Sequence, residues 1–236
     1  MYENLLSLAR GPLLKLSLLL MALGLLRVVL LQLWELGWAW SRAGDQFIPW
    51  GIAIRRNLSW LLPWRYLHEH ERRAYNFTSF LFHVGVIVVP LCLAGHVAIW
   101  RASLGVSWYA LPGVVADTLT VVTLIAIVGL LFGRVINRAS RELSKPQDWL
   151  LPVLCALPFI SGWLVAHPSW SLVDIQVVYL IHLLSAELLL VLVPFSKLAH
   201  MVLFWVSQSS SELGWRFVPG SGDRVRATLG KEGQGV

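Results

Sequence analysis

The sequence predicts an all-α integral membrane bundle of five transmembrane helices, with the N-terminus outside and the C-terminus cytoplasmic. Three observations carry that prediction. The 236-residue chain is 57% hydrophobic and only 14% charged, with a mean hydropathy of +0.67; soluble domains hold about 45–50% apolar and about 25% charged residues. Five apolar runs lie at roughly 11–34, 77–100, 113–136, 148–167 and 174–206, and each reaches the about 20 residues that a helix needs to cross the hydrocarbon core. The basic residues gather on one side of those runs. Such a composition excludes a soluble enzyme and a disordered chain.

The first run is longer than a signal-peptide core and no small-x-small cleavage site follows it, so it reads as a retained helix. The segment 35–76 that follows is long, basic and rich in tryptophan (Trp38, Trp40, Trp50, Trp60, Trp64). It fits an interfacial stretch on the cytoplasmic leaflet, a docking platform for a cytoplasmic subunit, or both. The fifth run exceeds what a bilayer requires, so its end is expected to project from the membrane. One membrane domain, 1–207, is then followed by a Gly-rich polar tail, 208–236, that reads as a flexible or partner-ordered extension.

Charge sets the orientation. Segment 35–76 carries Arg42, Arg55, Arg56, Arg65, Arg72 and Arg73; the connection after the third run carries Arg134, Arg138, Arg141 and Lys145; the tail carries Arg216, Arg224, Arg226 and Lys231. The opposite side holds Arg10, Lys15 and Arg101. The positive-inside rule makes the richer side cytoplasmic, and it accounts for the net charge of +6 without nucleic acid as a partner. Trp34, Trp100, Trp149, Trp170 and Trp205 fall at the ends of runs, where amphipathic rings favour the headgroup region. Cys92 and Cys155 lie inside apolar runs without metal-ligand spacing and read as small buried hydrophobes.

Of seven histidines, His68 and His70 belong to the cytoplasmic segment and read as solvated. His83, His96, His167, His182 and His200 lie in or at the edge of spans, where an ionisable residue is costly and marks a functional site by default. The second span runs outward and the fifth runs inward. Their histidines therefore fall at matching depths, His96 with His182 near the outer surface and His83 with His200 near the cytoplasm. Two facing imidazoles at each level suit two bis-histidine haems stacked across the membrane. Two imidazoles leave no open position on the iron, so the chemistry is electron transfer. His182 and His200, 18 residues apart, share a face of a continuous helix, whereas the 13 residues from His83 to His96 put them nearly opposite at about 100° per residue. A kink or π-bulge around Pro90 would have to rotate the upper half.

These residues resemble the cytochrome b (gamma) subunit of respiratory nitrate reductase. They are similar too to the cytochrome b subunits of heterodisulfide-reductase-like and sulfite-reduction-associated membrane complexes. The resemblance lies in the five-span plan, in PFSKLAH at 194–200 with its upstream histidine, and in FHVGVIVVPLCLAGH at 82–96, and it covers residues 1–207. It implies two b haems, with ligand pairs His96/His182 and His83/His200. It also implies oxidation of a quinol near the outer haem and delivery of electrons to a cytoplasmic iron–sulfur oxidoreductase subunit. The spacing of 13 favours the heterodisulfide-reductase-like branch, where an extracytoplasmic multihaem cytochrome c is a further partner. On this reading the chain sits in a bacterial cytoplasmic (inner) membrane, in contact with lipid and quinone. It acts as the quinone-reactive electron-transfer subunit of an oxidoreductase and is not catalytic alone.

Around those ligands, Arg27 and Lys197 are candidates for the propionates of the inner haem and Arg101 for those of the outer one, against snorkelling or interfacial anchoring. Quinol oxidation releases protons. His167, Asp117, Asp174 and Tyr109 lie on the outer side, and His167, with Asp117, is the leading quinol-site candidate because imidazole as a side-chain type can exchange protons near neutral pH. Glu187, deep in the fifth span, suits either a proton relay or a helix–helix bond. Two other readings stay open: a membrane anchor with a single haem, and a non-redox histidine-containing transporter.

Overall fold

The computed structural model describes residues 2–42, 50–60, 73–214, 218 and 220–234, and no strand occurs among them. His68 and His70 lie outside the described residues. Among the described residues five helices are long and apolar enough to cross a membrane, which makes the chain a multi-pass membrane protein. Helix α1 runs Tyr2–Ser41, 40 residues, or about 60 Å at 1.5 Å per residue. That is twice the about 30 Å hydrocarbon core, so α1 extends well past the predicted 11–34 at both ends. A single π-helical turn, Ala9–Leu13, accommodates Pro12 within it. Then come α2 (Trp50–Trp60), α3 (Arg73–Cys92), α4 (Ala94–Leu104), α5 (Gly113–Ile136), the short α6 (Arg138–Glu142) and α7 (Pro146–Ala166). Helix α8 (Ile175–Leu192), two 3-10 turns over 193–199, α9 (His200–Leu213) and α10 (Ser221–Thr228) complete the chain.

The predicted second and fifth spans are each interrupted. Span two breaks at Leu93, which is extended (φ −66°, ψ 132°) between α3 and α4. Span five leaves the helix after Leu192 and passes through Ser196, also extended (φ −132°, ψ −176°), before α9 begins at His200. His182 and His200, 18 residues apart, therefore do not lie on one face of an unbroken helix as the spacing predicts, because Pro194 cannot donate to the helical ladder. The tail, read as a flexible or partner-ordered extension, contains the helix α10, in which Arg226 and Asp223 form an ion pair. Segment 35–76 contains α2.

Two compact units divide the chain, Met1–Ser17 with Tyr66–Leu189, and Leu18–Arg65 with Leu190–Val236. In the first, α3 and α5 form the tightest seam, closed by small residues that let backbones approach. Gly85 is buried against Thr123, which is fully enclosed. A Cβ at Gly129 would come 3.2 Å from Thr78 and one at Gly133 3.1 Å from Tyr75. The start of α1 adds Leu6 and Ala9, packed with Leu183 of α8, and Arg10 lies 4.7 Å over the Tyr179 ring. Arg134 at the end of α5 donates to Ser144 Oγ at 2.7 Å and lies 5.9 Å from the Trp149 ring centre, which ties α5 to the start of α7. In the second unit, Gly24 of α1 meets Pro194: a Cβ there would come 2.6 Å from the proline ring.

The α3–α5 seam carries the first prediction. In Gly85→Ala the new methyl would occupy the position of the Thr123 side chain. Overpacking of this kind costs about 1–3 kcal/mol. Thermal unfolding in detergent should show a lowered Tm, and Thr123→Ala should recover only part of it, because the Cβ of residue 123 would still stand 2.9 Å from the new methyl. An unchanged Tm would mean that the seam is not tightly packed.

Candidate functional site

The break in span two is where the site begins. Extending the chain at Leu93 frees the last carbonyls of α3, and backbone groups in a membrane must find partners inside the protein. Three successive carbonyls do so. Pro90 O accepts from His96 Nδ1 at 2.9 Å, Leu91 O from Trp108 Nε1 at 2.9 Å, and Cys92 O from the Leu111 N–H at 2.8 Å. The loop that supplies Trp108 and Leu111 leaves α4 through Gly105, whose positive φ of 71° closes the helix with its N–H on Arg101 O at 3.0 Å. That loop folds back and staples the break, and the break aims His96. The change of phase at Leu93 also removes the conflict in the sequence pattern, because His83 and His96 no longer belong to one continuous helix.

His182, on the second turn of α8, is held from α7. Its Nδ1 donates to Pro158 O at 2.9 Å, with Ser161 Oγ 3.4 Å away; Ser161 itself donates to Leu157 O at 2.7 Å. Gly162 lies directly against the ring. Pro158, Ser161 and Gly162 follow an i, i+3, i+4 spacing, which places them on one face of α7. Sequence reasoning missed all three. A proline followed by Ser-Gly at that spacing inside an apolar span was the available signal.

The rings of His96 and His182 come together, with centres 6.0 Å apart and planes 11° from parallel. A carbonyl oxygen only accepts, so each Nδ1 carries its proton and each Nε2 is left with a lone pair. Among the described residues neither Nε2 has a partner. Metal-binding histidines are oriented in this way, with the second nitrogen bonded to a carbonyl. The spacing fits as well. Imidazole binds a metal at about 2.0–2.1 Å, so two rings on opposite sides of one ion have centres about 6 Å apart. With each Nδ1 on a carbonyl, both Nε2 atoms are left available as ligands on two near-parallel rings. No group of three or more His, Cys, Asp or Glu able to hold a metal occurs among the described residues.

Asp117 and His167 also meet. Asp117 stands on the second turn of α5 and His167 caps the C-terminus of α7, with Nε2 3.3 Å from Asp117 Oδ2; both side chains are partly exposed, at 29% for His167 and 39% for Asp117. His167 Nδ1 donates to Trp163 O at 3.1 Å, and the two rings stack with centres 4.2 Å apart. With Nδ1–H committed to a carbonyl, the Nε2···Oδ2 approach is attractive only when a proton lies between the two atoms. The pair is thus a partly exposed carboxylate–imidazole couple within reach of solvent. Residues 158–167 of one helix end carry both the support of His182 and the histidine of the Asp117–His167 pair.

The remaining candidates are placed individually. His83 is exposed on α3 with Nδ1 bonded to Ser79 O at 2.7 Å, in the first unit; His200 opens α9 with Nδ1 bonded to Lys197 O at 2.7 Å, in the second. Arg27 is exposed on α1, Arg101 is exposed in the last turn of α4, and Lys197 is exposed in the 3-10 turn before His200. Glu187 is 3% exposed, and neither carboxylate oxygen has a hydrogen-bond partner among the described residues.

No protein-family model and no solved structure matches the chain. It is similar to a protein of Nitratidesulfovibrio vulgaris strain Hildenborough, 34% identical over 218 residues that cover 91% of this chain and 95% of that one. The alignment runs almost end to end in both, so the likeness extends to the whole membrane architecture rather than to one span. The chain belongs to the same family as that Nitratidesulfovibrio vulgaris protein.

Proposed function

We propose that this protein is a di-haem cytochrome b of the kind found in the gamma subunit of respiratory nitrate reductase and in heterodisulfide-reductase-like complexes. It would be the membrane subunit of a respiratory oxidoreductase, exchanging electrons between the quinone pool and a cytoplasmic iron–sulfur subunit, with quinol oxidised on the outer side. The observation that carries this reading is the His96–His182 pair, parallel and 6.0 Å apart, each ring with its Nδ1 on a backbone carbonyl. His96 and His182 would hold the outer haem. The resemblance would make His83 and His200 the ligands of the inner one, with Lys197 and Arg27 as candidates for its propionates and Arg101 for those of the outer haem. When bound, haem supplies one-electron redox chemistry.

The protein's own contribution is binding, orientation and proton handling. The Pro90 and Pro158 carbonyls set the tautomer of each ligand, and the Trp108 loop holds the break that aims His96. Oxidation of a quinol yields the quinone, two electrons and two protons. Asp117 and His167 would form a hydrogen-bonding site for one quinol hydroxyl and pass its proton out through their exposed edge, while the second proton would leave from the other hydroxyl directly to the outer aqueous side. The positive-inside count supports an N-out, C-in orientation in a bacterial cytoplasmic membrane. An extracytoplasmic multihaem cytochrome c fits as a further partner on the same resemblance.

The test is a pyridine haemochrome assay on the purified chain with a dithionite-reduced minus oxidised spectrum. Two low-spin b haems per chain are expected. One haem would reduce the protein to an anchor with a single centre, and none would overturn the reading in favour of a transport role for the intramembrane histidines.

A further inference from the structure

Gly162 is pressed against a proposed haem ligand. A Cβ built on it would stand 3.0 Å from Cε1 of His182, 3.2 Å from Nδ1 and 3.9 Å from Nε2. One turn earlier on the same helix, Pro158 O holds Nδ1 of that ring at 2.9 Å. The ring is thus pinned at Nδ1 by one residue of α7 and given room beside Cε1 by another. A side chain at 162 would press on the whole Nδ1–Cε1 edge, so the ring would have to give by a few tenths of an ångström and tilt out of its near-parallel plane against the hold of the carbonyl on Nδ1. His96 has no such freedom, because its Nδ1 is bonded to Pro90 O in a break that Trp108 and Leu111 staple shut.

We propose that Gly162 is a positioning residue of the His96–His182 centre: its missing side chain lets the His182 ring lie nearly parallel to that of His96. The inference rests on the haem reading above. Its consequence is electronic. Two imidazoles in parallel planes lift the degeneracy of the iron orbitals they overlap and give a rhombic low-spin ferric signal. Crossed planes leave those orbitals close in energy and give an axial signal with a large maximum g value. With planes 11° apart, the outer centre belongs to the rhombic class, and Gly162 keeps it there.

The experiment is EPR of the oxidised full-length protein alongside its haem count, in the wild type, Gly162→Ala and His182→Ala. The signal lost in His182→Ala identifies the outer centre. In Gly162→Ala two haems per chain should remain, with the outer signal moved towards a larger maximum g value and the inner one unchanged. An unchanged outer signal with two haems retained would overturn the role of Gly162 and leave the haem assignment standing. Absence of haem from the wild type would overturn the haem assignment itself. Should Gly162→Ala not accumulate in membranes, the wild-type spectrum decides: a rhombic outer signal supports the proposal, and an axial one with a large maximum g value overturns it.

Discussion

Replacing His182 with alanine is expected to lower the haem content from two b haems per chain to one, with the membrane helices still formed. His182 sits between α7 and α8, and its Nδ1 bond to Pro158 O is made at 2.9 Å. Losing that bond alone costs about 0.5–1.5 kcal/mol, too little to unfold five spans. The haem loses one of its two axial nitrogens, and the other, His96, cannot hold it in the low-spin state alone. His96→Ala should give the same spectrum, and the double variant should lose nothing further, since both changes remove one centre. A His182→Ala protein that retains two low-spin haems would sink the assignment of His96 and His182 as one ligand pair.

The second large effect concerns the proton. Asp117→Asn keeps the shape of the side chain, and its amide can still donate to Nε2 of His167, but it cannot take up a proton. Positioned acid–base groups contribute about 10²–10⁴-fold to rate. Quinol oxidation by Asp117→Asn should therefore fall within that range, with haem content and spectrum unchanged. His167→Ala should fall similarly. Because the two residues stand 3.3 Å apart and would act on the same quinol proton, the double variant should be no slower than the worse single one. The measurement is quinol-dependent reduction of the purified protein by stopped flow. Two single effects that multiply in the double variant would show that the residues act separately.

How far the sequence could be read differs along the chain. The third span was predicted at 113–136 and is formed by Gly113–Ile136, and the fourth, predicted at 148–167, is Pro146–Ala166. In the third span apolar length sets the helix unopposed, and the fourth stays helical through Pro152 and Pro158. The second and fifth spans carry Pro90 and Pro194, and their breaks were not legible as breaks. Proline lowers the cost of leaving a helix, but whether the chain leaves depends on partners for the freed carbonyls. For the second span those partners are Trp108 and Leu111, which come from a loop beyond the span itself, together with His96.

The candidate residues were legible for a related reason. An imidazole or a carboxylate is costly inside an apolar run, so His96, His182, His167 and Asp117 stood out by residue type alone, and depth paired His96 with His182. Pro158, Ser161 and Gly162 did not stand out, because each is an ordinary residue of a membrane helix and acts only by touching a ring on another helix.

Composition, run length and charge asymmetry by themselves determined that the chain is helical, crosses a membrane five times and carries ionisable groups where they are expensive. Those properties follow from transfer free energies, which add residue by residue and need no knowledge of neighbours. Tertiary structure alone decided which lone pairs are free and which planes are parallel. Hydrogen-bond direction and ring orientation are fixed between helices, by a carbonyl 24 residues away from His182 and by the space that one glycine leaves open.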